Sequence, residues 1–303
     1  MTIEKTNYGG WPNSFRISNG EVEAIVTGDV GPRVMRYGFV NGQNFFKEFH
    51  DQLGKSGEPT WQLRGGHRVW IAPEDPVKTY APDNDPVNIE VRGDVLEATG
   101  RIESLTGVEK RMTIRMAPHG NAVEVVHRIR NCGREACELA PWILTMMAQG
   151  GTGIHGFPPR GTHPEVLAPT NPLVMWAFTN LGDPRWSLLR KYLVLRQDPS
   201  NPVPQKLGSF HRNTWGAYLL GNELFVKRTV AEGQPAQYPD YGCSFEMFTN
   251  ADFLELETLG PMGKLEPGAS VTHTERWTLY REVRVSAWDD DELDHVVLPL
   301  VQA

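Results

Sequence analysis

Alternation with a period of two dominates this chain and limits what it can fold into. Residues 21–27, 95–102, 111–116, 123–129, 243–248, 253–259 and 271–279 each alternate apolar with polar or small residues. Short alternating runs separated by turn formers read as antiparallel strands with one face on a core and one on water. The joints agree. Pro118-His119-Gly120-Asn121, Asn131-Cys132-Gly133, Gly221-Asn222 and Thr249-Asn250-Ala251-Asp252 each lie between two such runs, as hairpin turns do. Helical pattern is scarce. Residues 186–192 (WSLLRKY) read as about two turns of helix, and residues 291–297 as a frayed terminal turn. The expectation is an all-β protein, a sandwich or barrel, and a single domain over residues 1–303.

Composition narrows the class of partner. The 303 residues carry 30 Lys and Arg against 37 Asp and Glu, a formal charge of −7, with no basic block. Such a chain repels a phosphate backbone, so nucleic acid is not an expected partner. No apolar run approaches the roughly 20 residues of a membrane span. The acidic run Asp289-Asp290-Asp291-Glu292 reads as a solvated tail. Three cysteines, Cys132, Cys137 and Cys243, do not make a disulfide framework. Met1 to Gly9 has no apolar stretch of the signal-peptide kind. Reduced thiols and a cytoplasmic setting are the expectation. The 30 glycines and 23 prolines gather in the joints and in loops at residues 81–87, 150–171 and 197–205. The second of these is long enough to be a functional loop.

Four groups of residues have the chemistry of a site. Arg64-Gly65-Gly66-His67-Arg68-Val69-Trp70, with Glu74 just beyond, combines glycines that permit close backbone approach, a titratable ring, a forked donor and a flat indole face. The indole suits the C–H face of a sugar. Glu255 and Glu257 fall on one face of a strand, with Leu254 and Leu256 on the other. Two neighbouring carboxylates repel, which shifts one towards the pKa that acid–base chemistry uses. Lys206, His211 and Trp215 place a cation, an imidazole and an indole along another stretch. The remaining histidines, among them His119, His127, His155, His163 and His273, form no metal-binding spacing, and no metal or other cofactor is expected. No phosphate-binding loop, dinucleotide fingerprint or nucleophile elbow is present.

The C-terminal pattern Leu256-Glu257-Thr258-Leu259, then Leu265-Glu266-Pro267-Gly268, then residues 271–280 resembles the end of the aldose 1-epimerases, or galactose mutarotases. Gly31-Pro32-Arg33 resembles that family's early turn, and the G-G-H-R-x-W-I-A-P-E segment points to a bacterial branch of mutarotase-like proteins. The resemblance implies a large antiparallel β-sandwich, the galactose mutarotase-like supersandwich, with a sugar cleft on one sheet. It implies that Glu257 is the base that takes the anomeric proton. Trp142 stands where the family carries its acid histidine, which leaves His67 as the candidate acid. Arg68, Trp70, Glu74, Trp142, Lys206, His211, Trp215 and Glu255 are then the candidate substrate-binding residues. Three readings stand: a sugar isomerase of the aldose 1-epimerase kind, a non-catalytic carbohydrate-binding module, and a cupin-like metal enzyme. The first two take a small carbohydrate as ligand.

Overall fold

The computed structural model describes all 303 residues and is built almost wholly of strands. They run β1 (Thr2–Tyr8), β2 (Trp11–Ser18), β3 (Val22–Thr27), β4 (Arg33–Phe39), β5 (His67–Ala72), β6 (Asn88–Arg92), β7 (Val95–Thr99), β8 (Val108–Met116), β9 (Val123–Asn131) and β10 (Cys137–Met147). Next come β11 (Thr152–Gly156), β12 (Leu173–Met175), β13 (Trp186–Leu188), β14 (Tyr192–Arg196), β15 (Gln205–Ser209), β16 (Asn213–Leu220), β17 (Glu223–Val230), β18 (Phe245–Thr249) and β19 (Leu254–Leu259). The last strands are β20 (Gly263–Leu265) and β21 (Ser270–Tyr280), followed by helices α1 (Asp290–Val296) and α2 (Leu298–Gln302). The chain packs as two compact units, Met1–Met146 with Met262–Thr278, and Met147–Pro261 with Leu279–Ala303.

In the first unit one sheet has the order β1-β2-β3-β4-β5-β10, with β20 also on β10, and the other the order β21-β9-β8-β7-β6. Every pairing is antiparallel. Side chains of the two sheets meet in an aromatic core, where Tyr37 and Phe46 pack on Trp277 at ring-centroid distances of 5.5 and 5.6 Å. In the second unit β19-β18-β15-β12 form one sheet and β13-β14-β11-β16-β17 the other, again antiparallel. His155 of β11 stacks on Phe245 of β18, 4.1 Å between centroids. The chain is thus an all-β protein of antiparallel β-sandwich architecture.

The expected wet face is present on some strands and missing on others. β8 and β9 alternate buried with partly or fully exposed positions down their length. Strands β5, β15 and β19 are buried at every position despite their polar residues. On these strands the face away from the sandwich interior is covered by side chains from outside the sheets. Trp61 and Tyr80 pack on Trp70 of β5, and Trp176 and Phe178 pack over Lys206 of β15 and Phe248 of β18. Polar residues on a covered sheet face are where a binding site is to be sought.

Four local readings are corrected. Residues 186–192 are not helical: β13 pairs with β14 across a tight turn closed by the Leu189 amide on the Tyr192 carbonyl. Cross-strand pairing outweighs the helix propensity of Leu, Arg and Lys over so short a run. Asn131-Cys132-Gly133 does not close a hairpin, because β9 and β10 lie in different sheets and the turn carries the chain from one to the other. The acidic run is not a loose tail. The Asp289 carboxylate accepts from the Glu292 amide, capping α1, and Asp290 accepts from the amides of Arg190 and Lys191. Negative charge there also suits the positive end of the helix. The long loop expected at residues 150–171 begins with β11, whose Gly153 and Gly156 leave room for Met247 and Trp215. All three cysteines are free thiols, and no helix is long and apolar enough to cross a membrane.

Candidate functional site

The densest buried charge in the second unit lies on the covered face of the β15-β18-β19 sheet. Register sets it up. Glu246 of β18 is directly opposite Glu257 of β19, and Gly208 of β15 is opposite Glu246 on its other side. Alternation then puts Lys206, Gly208, Glu246, Phe248, Glu255 and Glu257 on one face. Lys206 Nζ lies 2.6 Å from Glu246 Oε2 and 2.9 Å from Glu257 Oε2. Both glutamate side chains are fully buried and Lys206 nearly so. Gly208 matters here for its missing side chain. A Cβ would sit 2.4 Å from Cys243 Sγ and 3.1 Å from the Trp176 ring, so those groups fill the space above it. The Trp176 ring also lies over the Lys206 ammonium, 4.6 Å from Nζ to centroid.

Two carboxylates share one ammonium here. Burial pushes the Glu246 carboxyl well above the ordinary range. Lys206 opposes that rise, while Glu257 and Asp240 add to it. Burial works to lower Lys206, but the two carboxylates outweigh it and raise its pKa, so the ammonium stays charged. The raised Glu246 carboxyl faces Glu257 across the strand pair. A buried carboxyl with a raised pKa beside a second carboxyl is a candidate for acid–base chemistry. Burial also raises the Cys243 thiol, with Glu246 adding to the effect, which leaves it a protonated, unreactive neighbour.

In the first unit, four of the expected residues meet in one cluster. Arg68 lies over Trp70 and Trp61, with 4.1 and 5.0 Å from its guanidinium carbon to the ring centroids. Trp142, opposite Trp70 in the β5-β10 register, meets it edge-on at 5.3 Å. Tyr80 packs on Trp61 and Trp70 at 5.1 and 5.2 Å, and its hydroxyl donates to Glu74 at 2.5 Å. Trp61 and Tyr80 were not legible as members, because both lie in loops with no period to follow. Gly65 and Gly66 adopt φ of 88° and 73° and approach protein backbone. A Cβ would fall 2.0 Å from the Lys47 carbonyl at Gly65 and 2.5 Å from the Val34 carbonyl at Gly66. Beside them Arg33 donates to the Leu63 and Gly65 carbonyls and to Asp83. Burial works to raise Asp83, but Arg33 and Arg68 outweigh it and hold the carboxyl below its usual range.

Other expected site residues lie elsewhere. His67 neighbours Arg68 in sequence but faces the opposite side of β5, into the interior of the first sandwich. Its Nδ1 is 2.8 Å from Thr145 Oγ1 and its Nε2 is 2.8 Å from His127 Nε2. His67 thus belongs to the first unit and Glu257 to the second, each with its own set of partners. In the second unit His211 Nδ1 donates to the Gly156 carbonyl, and burial lowers its pKa. Trp215 is core: it packs with Ile154, Tyr192, Leu293 and Val297 beneath the C-terminal helices. Glu246 was missed by sequence reasoning. A lone glutamate in Phe245-Glu246-Met247-Phe248 gives no signal until the strand register sets it against Glu257.

Neither a protein-family model nor a curated protein sequence matches the chain. Solved structures do. The chain is similar to a protein of Synechocystis at 13% identity and TM-score 0.57, covering 89% of this chain and 96% of that one. It is similar to a galactose mutarotase related enzyme from Lactobacillus acidophilus at 9% identity and TM-score 0.56, covering 89% and 98%. A galactose mutarotase-like protein from Clostridium acetobutylicum matches at 9% identity and TM-score 0.54, over 92% and 98%. The chain therefore has the galactose mutarotase-like fold, as its C-terminal pattern implied. Identities this low establish the fold and leave the chemistry to the residues themselves.

Proposed function

We propose that this protein is a sugar-directed isomerase of the aldose 1-epimerase type, in which Glu257 is the base and Glu246 the acid. The reading rests above all on the Glu246–Lys206–Glu257 arrangement. Ring opening of an aldose takes a proton from the anomeric hydroxyl and gives one to the ring oxygen. Both oxygens are bonded to the same carbon, so the acid and base must be close neighbours. Residues directly opposite one another on adjacent strands satisfy that; His67, engaged within the first unit, is replaced in this role by Glu246. Lys206 contacts both carboxyl groups, and burial raises the Glu246 carboxyl towards holding its proton. Glu246 Oε1 is buried without a hydrogen-bond partner, an atom that a substrate oxygen would satisfy. Trp176 covers the ammonium, so substrate entry displaces that ring and leaves it available to stack on the sugar. Glu255, on the same face, is the further candidate for binding a hydroxyl.

Anomer exchange followed by polarimetry over a panel of aldoses tests this. Acceleration that disappears in Glu257→Gln supports it. A second reading, a carbohydrate-binding protein without catalysis, is favoured by the Arg68, Trp61, Trp70, Tyr80 and Trp142 cluster. Aromatic faces with one forked donor suit sugar recognition and need no acid or base. Saturable sugar binding with unchanged anomer exchange would select it.

A further inference from the structure

The interior of the first sandwich holds a polar group that acid–base chemistry on a sugar does not use. His67 of β5, His127 of β9 and Glu275 of β21 converge there, with one ligand-capable atom from each lying within 4.8 Å of the others. All three are essentially inaccessible to solvent, at 0 to 1% exposure. β9 and β21 are direct neighbours with His127 opposite His273, which places Glu275 two residues along the same inward face. β5 belongs to the facing sheet. The three side chains therefore join the two layers.

We infer that His67, His127 and Glu275 bind a divalent first-row transition metal ion, with Zn2+ the best fit, which clips the two sheets together. The donor set is two imidazoles and one carboxylate, which suits Zn2+ and its neighbours and does not suit Mg2+ or Ca2+. Orientation supports it independently. His127 Nδ1 lies 3.0 Å from the His273 carbonyl. A carbonyl only accepts, so Nδ1 carries the proton and the Nε2 lone pair points into the cluster. His67 Nδ1 meets the Thr145 hydroxyl, which donates or accepts by rotating. When it accepts, the His67 proton resides on Nδ1 and its Nε2 lone pair points inward as well. Trp277 Nε1 donates to Glu275 Oε2 at 2.8 Å, fixing the carboxylate. A ligand held from behind by a carbonyl, hydroxyl or indole N–H is the usual outer arrangement of a protein metal site.

The geometry requires little movement. The two Nε2 atoms are 2.8 Å apart. Two nitrogens on a tetrahedral Zn2+ at about 2.0–2.1 Å stand roughly 3.3 Å apart. Opening by about half an ångström gives the nitrogens that spacing, and the Glu275 oxygen, within 4.8 Å of them, closes on the ion. Moving a proton from Nε2 to Nδ1 of His67 costs no net proton.

Because the site is enclosed, loading is tested through refolding. The full chain is unfolded in guanidinium chloride with EDTA, freed of chelator, and refolded with Co2+ or Zn2+. The expected result is one Co2+ per chain with the visible absorption of a low-symmetry four-coordinate ion, displaced by Zn2+. The melting temperature should rise by several degrees when free Zn2+ is about a hundredfold above Kd. Glu275→Gln and His127→Gln keep polar groups in place and should weaken Co2+ binding at least about tenfold, with far-ultraviolet circular dichroism unchanged. Trp277→Phe, which removes only the outer hydrogen bond, should weaken it about 10- to 100-fold. Refolded wild type that takes up no stoichiometric Co2+ or Zn2+ overturns the inference, as do variants that bind as tightly as wild type. If a Gln variant fails to refold, Trp277→Phe and the wild-type titration decide.

Discussion

Glu246 and Glu257 lie directly opposite one another on adjacent antiparallel strands, and a single ammonium, that of Lys206, contacts both, at 2.6 and 2.9 Å. Such an arrangement is costly to build. Removing three ionisable groups from water carries a desolvation penalty that the pairing offsets only with good geometry. The proposed substrate handling gives a reason for its presence that stability does not.

Lys206→Met removes the shared cation and leaves two facing carboxyls in the interior. A loss of about 3–5 kcal/mol is expected at neutral pH, as when one partner of a buried pair is deleted. The loss should shrink towards pH 4, as the raised Glu246 carboxyl takes up its proton. Urea unfolding of wild type and variant at the two pH values measures the difference.

The raised Glu246 carboxyl makes stability fall with increasing pH. Above the ordinary carboxylate range, near 4.5, the unfolded chain has released this proton while the folded chain retains it. Unfolding in that window therefore releases a proton, and raising the pH favours unfolding until the folded carboxyl also ionises. Glu246→Gln keeps the neutral form at every pH. The expected outcome is a wild-type stability that declines from pH 5 towards alkaline values and a flatter profile in the variant, read from denaturant midpoints.

His155 gives the opposite slope at acid pH. Burial against Phe245 pushes its pKa down to about 3, from 6.5. Between those values the unfolded chain binds a proton that the folded chain refuses, so stability is lost as pH falls from 6.5 towards 3. The loss is on the order of a few kcal/mol. His155→Gln should lower stability at pH 7 but flatten this acid limb, which thermal melts from pH 7 to 4 will show.

The all-β architecture was legible because alternation is a local signal, and β8, β9, β18, β19 and β21 formed close to where it put them. Residues 186–192 misled because the pairing that makes them strands is with neighbours three or more residues away, invisible to a helical count. Glu257, Lys206, Arg68, Trp70 and Trp142 could be singled out by type and by resemblance. Their grouping could not, since it depends on register between strands distant in the chain. Trp215 has the chemistry of a sugar-stacking residue, yet it is buried under helices whose docking no local pattern reveals. His127 and Glu275 did carry a signal. Each occupies an inward position on a strand whose other inward positions are mostly apolar, and a polar residue there needs partners that only the fold supplies.

The roles proposed for Glu257 and Glu246 stand or fall on the rate of α–β anomer exchange, measured by magnetisation-transfer NMR on a panel of free aldoses. Wild type, Glu246→Gln and Glu257→Gln are compared side by side at pH 7, with circular dichroism to confirm folding. Wild type should accelerate the exchange of at least one aldose, with a loss of about 10²–10⁴-fold in either variant, the range for removing one acid or base. Wild-type protein that binds an aldose without accelerating its exchange, or a folded Glu257→Gln protein that retains the wild-type rate, would contradict those roles.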